Sequence, residues 1–144
     1  MILAMDPGKD KTGAALVEED GSLLWKGIIA SAALEKNIRP RLAEKTPRAV
    51  IMGNGTRHQD MKRRMEELLK KEGLSLPVLL VNERYTTEMG EAAYWKDHPA
   101  KGLSRLIPKG MRTPPVPVDD YVAWIIGRIY LGLVKAEDVG HKKV

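Results

Sequence analysis

The stretch MILAMDPGKDKTGAALVEEDG, residues 1–21, contains two apolar runs separated by a turn. The first run, residues 2–6, ends in Asp6, and the Pro-Gly pair that follows favours a turn. The second run predicts an antiparallel partner, and a Gly-Ser turn leads into a third apolar run, residues 23–30. The sequence therefore predicts a meander of three antiparallel strands, with a carboxylate at the tip of the first strand.

The rest of the chain alternates segments that favour helices with short apolar runs that favour buried strands. Two such runs flank an amphipathic segment, so we expect two parallel strands joined by a right-handed crossover. In order, the expected elements are a helix over 31–44, a strand over 48–54, a helix over 59–72 that ends at Gly73, a strand over 76–83, a helix from 86, a loop over 97–117 and a helix over 119–134. The sequence thus predicts an α/β fold with one five-stranded mixed sheet, three antiparallel strands and then two parallel ones, flanked by helices in a single domain, 1–144.

The composition narrows the class of protein and of partner. The chain has 144 residues, of which 43% are hydrophobic and 30% charged, and this is enough for the core of one domain. A net charge of +5 favours an anionic partner such as nucleic acid. Because there is no cysteine, disulfides and thiolate chemistry are excluded. No apolar run has the length of a membrane span, so we expect a cytoplasmic protein without membrane association.

Three acidic residues from distant parts of the chain are expected near one sheet edge. Asp6 ends the first strand, Glu83 ends the fifth, and Asp119 begins the last helix. Parallel strands direct their carboxyl ends to one edge, where ligand sites form. Clustered carboxylates repel one another unless a cation neutralises them, and Mg²⁺ or Mn²⁺ prefers such oxygen ligands. The three acids therefore predict a metal site, and Asp120 is a weaker candidate ligand.

Each acid also has a simpler interpretation. Asp6 could have a purely structural role, in which it forms an Asx-type turn at Asp-Pro-Gly. Glu83 could be a solvated strand end, and Asp119 could be only the N-cap of the last helix. Asp10 and Glu88, like Asp120, are by default solvated surface acids.

The sequence resembles the ribonuclease H superfamily and, within it, the YqgF/RuvX group, over nearly the whole chain. Residues 4–16, AMDPGKDKTGAAL, are similar to the opening strand of that group, and residues 50–56, VIMGNGT, to its strand and glycine turn. Residues 81–92, VNERYTTEMGEA, are similar to its Glu-Arg-x-(Ser/Thr)-Thr-x-x-Ala signature. Residues 118–131, VDDYVAWIIGRIYL, match its terminal helix. The chain departs from the group's pattern at Asp10, at the Gly-Asn-Gly turn and at Trp124.

This resemblance implies a nuclease that cleaves phosphodiester bonds in structured nucleic acid with Mg²⁺ or Mn²⁺. The YqgF/RuvX group is associated with Holliday-junction resolution and with processing of small-subunit ribosomal RNA precursors. The implied catalytic and metal-binding residues are Asp6, Glu83 and Asp119. The alternative is a non-catalytic module of the same fold that binds nucleic acid or the ribosome. A branched DNA substrate would favour a homodimer, because two symmetric cuts need two sites.

Basic residues near the expected site are candidates for phosphate contacts. The segment between Asp97 and Asp119 contains four cations and no acid, which predicts a basic loop over a phosphate backbone, although it could also be a solvated loop. Arg57 follows the glycine turn at a helix start, and Arg84 adjoins Glu83. The predicted nucleic-acid-binding residues are Arg57, Arg84, Thr86, Lys101, Arg105, Lys109 and Arg112. Thr86 is also a candidate helix cap.

A second pattern fits the same opening stretch. Residues 6–13, DPGKDKTG, match Asp-x-Gly-x-x-x-x-Gly, the phosphate-binding hairpin of sugar kinases and actin-like ATPases. Those proteins pair two domains of this topology, and 144 residues leave room for one. The nuclease interpretation is therefore preferred.

Overall fold

The computed structural model describes residues 1–55, 58–82, 86–98 and 114–133. Its strands are β1 (Ile2–Asp6), β2 (Lys11–Val17), β3 (Leu23–Ala30), β4 (Val50–Gly53) and β5 (Val78–Val81). Its helices are α1 (Leu34–Glu44), which follows a 3-10 turn at Ser31–Ala33, α2 (His58–Lys71), α3 (Thr86–Asp97) and α4 (Asp119–Tyr130). Each strand and helix expected from the sequence is present, and most of the expected loop lies outside the described residues.

The five strands form one sheet in the order β3-β2-β1-β4-β5. β2 pairs antiparallel with both β1 and β3. β4 pairs parallel with β1, and β5 pairs parallel with β4. The expected five-stranded mixed sheet is thus confirmed. Because β1, β4 and β5 run in the same direction, their carboxyl ends at Asp6, Gly53 and Val81 lie along one edge of the sheet.

Side chains along the central strands point alternately to the two faces of the sheet, so the core has two layers. Leu3 and Met5 of β1 face a layer that contains buried residues of α1 and α2. Ile2 and Ala4 face the opposite layer, which contains buried residues of α4 such as Ile126. The sheet is therefore covered on both faces, and α4 packs on the face that Ile2 and Ala4 share.

Glycine ends both α2 and α4. Gly73 and Gly132 have φ angles of 69° and 76°, in the left-handed region that glycine adopts without steric cost. The N–H of the residue after each glycine donates to a carbonyl five residues earlier, at 2.9 Å for Leu74 and 3.0 Å for Leu133. The end of α2 at Gly73 agrees with the prediction, whereas α4 stops before the expected residue 134. None of the helices in the described ranges is long and apolar enough to span a bilayer.

β5 is less buried than its apolar sequence predicts. Leu79 and Leu80 are 37% and 42% exposed. The strand lies at the edge of the sheet, where one side has no neighbouring strand among the described residues. An apolar run alone does not distinguish such an edge strand from a central one.

Candidate functional site

Asp6 and Asp119 come together through the glycine that lies between them. Asp6 is directly opposite Gly13 of β2, so their Cα atoms are about 4.5–5.5 Å apart. Gly13 in turn lies against the first residue of α4, because a Cβ added to it would overlap the carbonyl group of Asp119. Only glycine permits this approach, which brings the start of α4 onto the strand beside Asp6.

The side chain of Asp6 lies on the face of the sheet that α4 covers. Successive strand residues point to opposite faces, and Ile2 and Ala4 of β1 pack in the same layer as α4. Asp6 shares their face and is half-buried. The backbone of Asp119 therefore lies close to Asp6 at the edge where the parallel strands end.

Asp119 carries a carboxylate that the described residues do not neutralise by direct contact. It is half-buried, and no hydrogen bond or ion pair of its side chain is found within the described ranges. Burial raises the pKa of Asp119; the charge of Asp120 raises it further, while the ammonium of Lys11 acts in the opposite direction. The N-cap position of α4 belongs to Val118, so the capping interpretation of Asp119 is not observed.

Asp120 is held by residues of the chain itself. Its Oδ2 lies 2.7 Å from Nζ of Lys26 on β3, and its Oδ1 accepts the backbone N–H of Tyr121 at 2.9 Å. The ammonium of Lys26 also lies 4.2 Å from the centre of the Tyr121 ring. Both carboxylate oxygens thus have partners, which favours an anchoring role for Asp120, while its metal ligation stays a prediction.

The turn between β1 and β2 is fixed by a buried hydroxyl pair. Thr12 and Ser31 are 0% and 4% exposed, and their hydroxyl oxygens are 2.8 Å apart. The hydroxyl of Ser31 donates to the carbonyl of Gly8 at 2.8 Å, and its backbone N–H donates to the carbonyl of Asp10 at 2.8 Å. Arg64 of α2 donates to the carbonyl of Ser31 at 2.7 Å. The turn after Asp6 is therefore anchored to the 3-10 turn that follows β3 and, through Ser31, to α2.

This network was not predicted from the sequence. The available signal was a threonine inside an otherwise apolar strand, since a buried hydroxyl needs a partner. The identity of that partner depends on how β3 pairs with β2, and the sequence pattern does not give this register.

Helix α3 packs closely on the start of α4. A Cβ added to Gly90 would lie 2.7 Å from Cγ2 of Val122, so glycine allows the two helices to approach. The hydroxyl of Tyr121 donates to the carboxylate of Asp97 at 3.1 Å. Burial, together with this hydrogen bond, raises the pKa of Tyr121 to about 12. This contact connects the helix that follows Glu83 in the sequence to α4.

Most of the other predicted site residues cannot be located. The described ranges contain Thr86, the first residue of α3, whose side chain is 3% exposed. Such burial does not favour contact with a polymer, so its role in nucleic-acid binding stays a prediction. The remaining residues lie outside the described residues: Arg57, Glu83, Arg84, Lys101, Arg105, Lys109 and Arg112. Within the described ranges, no three acidic or histidine side chains are placed to hold a metal ion together; the third predicted carboxylate, Glu83, is not in these ranges.

The acids in the described part of the site have the donor chemistry that a hard divalent cation requires. Mg²⁺ keeps several waters and is usually held by one or two protein carboxylates. Asp6 and Asp119 supply carboxylates from neighbouring backbone positions. Burial disfavours the charged form of Asp119, and a nearby cation offsets this cost. Carboxylate oxygens are the donors that Mg²⁺ and Mn²⁺ prefer, and a metal site formed by these two acids with Glu83 stays a prediction.

The fold is similar to that of RuvC from Thermus thermophilus. The two structures align with a TM-score of 0.50 over 87% of this chain and 88% of the other, and 14% of the residues are identical. At this identity the likeness shows the fold alone. It confirms the ribonuclease H-like architecture expected from the sequence.

A second structure overlaps less well. A ROK family protein from Streptococcus pneumoniae, in complex with sucrose, aligns with a TM-score of 0.42 and 20% identity. The alignment covers 68% of this chain and 38% of that structure. Overlap at this level does not establish a shared fold. No family model matches the chain, and no curated protein matches its sequence.

Proposed function

We propose that this protein is a divalent-cation-dependent endonuclease that acts on structured nucleic acid. The observation that supports the proposal is the contact of Gly13 with the start of α4, which brings the backbone of Asp119 close to Asp6. Two carboxylates at the carboxyl edge of a ribonuclease H-like sheet are the expected basis of a cation site. Glu83, two residues after the end of β5 in the sequence, is the third proposed ligand.

The chain's own residues would hold the cations and orient the substrate. Asp6 and Asp119 would hold the cation, and Asp120, bound to Lys26, would keep the first turn of α4 in place. When bound, such a cation supplies Lewis-acid stabilisation of the phosphodiester oxygens and lowers the pKa of a water. The proposed phosphate contacts are made by the basic residues of the 97–119 segment and by Arg57 and Arg84.

The substrate class follows from the sequence resemblance to the YqgF/RuvX group. It implies branched DNA or a precursor of ribosomal RNA, and the net charge of +5 suits either polyanion. Cleavage of a four-way junction by two symmetric cuts would require a two-fold homodimer. The fold similarity to RuvC supports the architecture of this proposal.

Metal-dependent cleavage tests the proposal. A labelled four-way DNA junction and a precursor rRNA fragment are incubated with the protein in Mg²⁺, Mn²⁺ or EDTA. We expect scission in Mg²⁺ or Mn²⁺, none in EDTA, and none with Asp6→Asn. Lys45→Met is a matched surface control, because Lys45 is exposed and lies at the end of α1.

Binding without scission would contradict the nuclease. If both nucleic acids bind but stay intact under every metal condition, and Asp6→Asn binds as the wild type does, the chain is a binding module with this fold. If the protein neither binds nor cleaves either substrate, nucleic acid is not its partner.

A further inference from the structure

Two lysines of the sheet lie on the face that α4 covers, and only one of them forms an ion pair with an acid among the described residues. Lys26 of β3 is paired with Asp120 at 2.7 Å. Lys11 begins β2 and is exposed, and no ion pair of its ammonium is found among the described residues. Within the described structure, Lys11 is therefore a cation of this face that forms no ion pair.

The alternation of β2 sets the direction of Lys11. Gly13 lies against α4, and Ala15 and Val17 belong to the same core layer as α4. Lys11 is two residues before Gly13, so it lies on the same face of the sheet. Its charge acts on the carboxylate of Asp119. Lys11 is thus beside the acidic pair, on the solvent side.

The backbone of Lys11 is held rigidly. A Cβ added to Gly8 would overlap the carbonyl group of Lys11, so the turn is closed tightly at this point. Lys11 also pairs with Ala30 of β3, next to the buried hydroxyls of Thr12 and Ser31. Because this backbone is already ordered, binding of a ligand by the side chain does not carry the entropy cost of ordering the turn.

We propose that Lys11 is a phosphate-binding residue of the candidate site, whose ammonium contacts a phosphate oxygen of a nucleic-acid strand that lies across Asp6 and Asp119. The proposal rests on the proposed function and assigns to that site a residue outside the predicted binding set. A compact ammonium binds phosphate as a point charge. Lys11 therefore attracts the strand that the neighbouring carboxylates repel, and it lies beside the cation ligands without being one of them.

The first experiment measures binding of a fluorescent four-way DNA junction by anisotropy in EDTA, over a range of KCl concentrations. Lys11→Met should weaken binding several-fold and reduce the slope of log K against log[salt] by about 0.9, the value for one duplex phosphate contact. Lys11→Arg keeps the charge and should restore most of the affinity. Lys9→Met is the matched control, because Lys9 is exposed in the same turn, whereas the charge that acts on Asp119 is that of Lys11. It should bind more nearly as the wild type does.

The second experiment distinguishes contact with substrate from support of the acids. Mn²⁺ binding, measured by electron paramagnetic resonance without nucleic acid, should be unchanged or tighter in Lys11→Met, since a repelling charge is removed. In Asp119→Asn it should be lost. Loss of Mn²⁺ binding in Lys11→Met would overturn the proposal, because Lys11 would then act through the carboxylates.

The inference and the proposed function fail in different ways. If the wild type binds and cleaves the junction, Asp6→Asn does not cleave, and Lys11→Met has the affinity and salt slope of Lys9→Met, then Lys11 has no specific phosphate contact and only the inference falls. If the wild type neither binds nor cleaves, the proposed function falls and the inference falls with it.

Discussion

The acidic side chains at the two ends of α4 lie in opposite electrostatic environments. Near its last residue, Glu19 accepts two hydrogen bonds from the guanidinium of Arg48, at 2.9 and 2.8 Å, and Arg48 also lies 5.6 Å from the centre of the Tyr130 ring. These bonds, together with a hydrogen bond from the N-terminal ammonium of Met1, lower the pKa of Glu19 to about 2. At the other end, burial raises the pKa of Asp119. One end supplies its own countercharge, and the other is suited to a countercharge from solution.

The same contrast separates two adjacent residues. Asp120 has Lys26 as a partner, whereas Asp119 has no direct partner in the described ranges. A raised pKa caused by burial is typical of functional carboxylates as well as of strained structural ones. The difference teaches that the position of an acid relative to a fixed cation, and not its exposure alone, identifies the candidate ligand.

The largest expected effect is on cation binding. Asp119→Asn should weaken Mn²⁺ binding by more than the ~10–100-fold that follows loss of a residue supporting a metal ligand. Glu19→Gln, at the other end of α4, should leave the affinity unchanged. Titration of each variant with Mn²⁺ by electron paramagnetic resonance measures both values. Equal losses in the two variants would show that binding follows total charge and not the Asp119 end.

A smaller but clear effect on stability is expected for substitution of the glycines at the two ends of α4. Gly13→Ala forces a methyl group into the carbonyl of Asp119 and should cost about 1–3 kcal/mol of unfolding free energy. Gly132→Ala meets no atom within 4 Å but has a φ of 76°, so it should cost about 1 kcal/mol. Urea denaturation gives both values, and Mn²⁺ affinity should fall in Gly13→Ala only. A reversed order of stability would mean that α4 can move away from β2 without cost.

Removing the partner of Asp120 tests the anchoring of α4. Lys26→Met leaves a carboxylate that is 14% exposed without its cation, although the N–H of Tyr121 remains bound. We expect a loss of about 1 kcal/mol by urea denaturation, at the low end for an unpaired buried group. Lys62→Met is the control, because its ion pair with Glu66 is at 4.0 Å on an exposed helix face. If both variants lose the same small amount of unfolding free energy, Asp120 has no anchoring role.

The smallest effects are opposite slopes of stability with pH, measured in EDTA. The pKa of Glu19 falls from 4.5 to about 2 on folding, so its contribution is present above pH 4.5 and is lost as the pH falls through about 2. The pKa of Asp119 rises from 3.8, so the folded state loses stability as the pH increases from below 3.8 to above the raised value. Glu19→Gln should therefore destabilise at neutral pH, and Asp119→Asn should stabilise. Changes of the same sign in both variants would contradict the comparison.

Local sequence signals predicted the elements around the site but not the contact that joins them. An apolar run that ends in Asp-Pro-Gly is enough to predict β1, its turn and the placement of Asp6. Gly13 is visible in the same motif, yet the group that requires a glycine there is the carbonyl of Asp119, from a helix near the other end of the chain. Contacts between such distant segments depend on how α4 lies on the sheet, and a local pattern does not contain this information.

The last helix shows both a missed signal and a limit of the sequence. Gly132 indicated the end of α4, but the apolar residues after it extended the prediction to 134. The preference for Asp119 over Asp120 rests on the family resemblance, because the local pattern does not show which of the two faces Lys26 on β3. Asp119 resembled an N-cap, and the structure gives that position to Val118.

The placement of β1 in the middle of the sheet has a consequence for the order of folding. β1, β2 and β3 are close in sequence and can form a hairpin meander early, whereas α4 must be recruited from the far end of the chain. Asp6 and Asp119 therefore become neighbours only after most of the sheet exists. Since a ligand that recognises a late-formed contact acts mainly on the unfolding rate, we expect cations to prolong the lifetime of the native state and to leave its rate of formation almost unchanged.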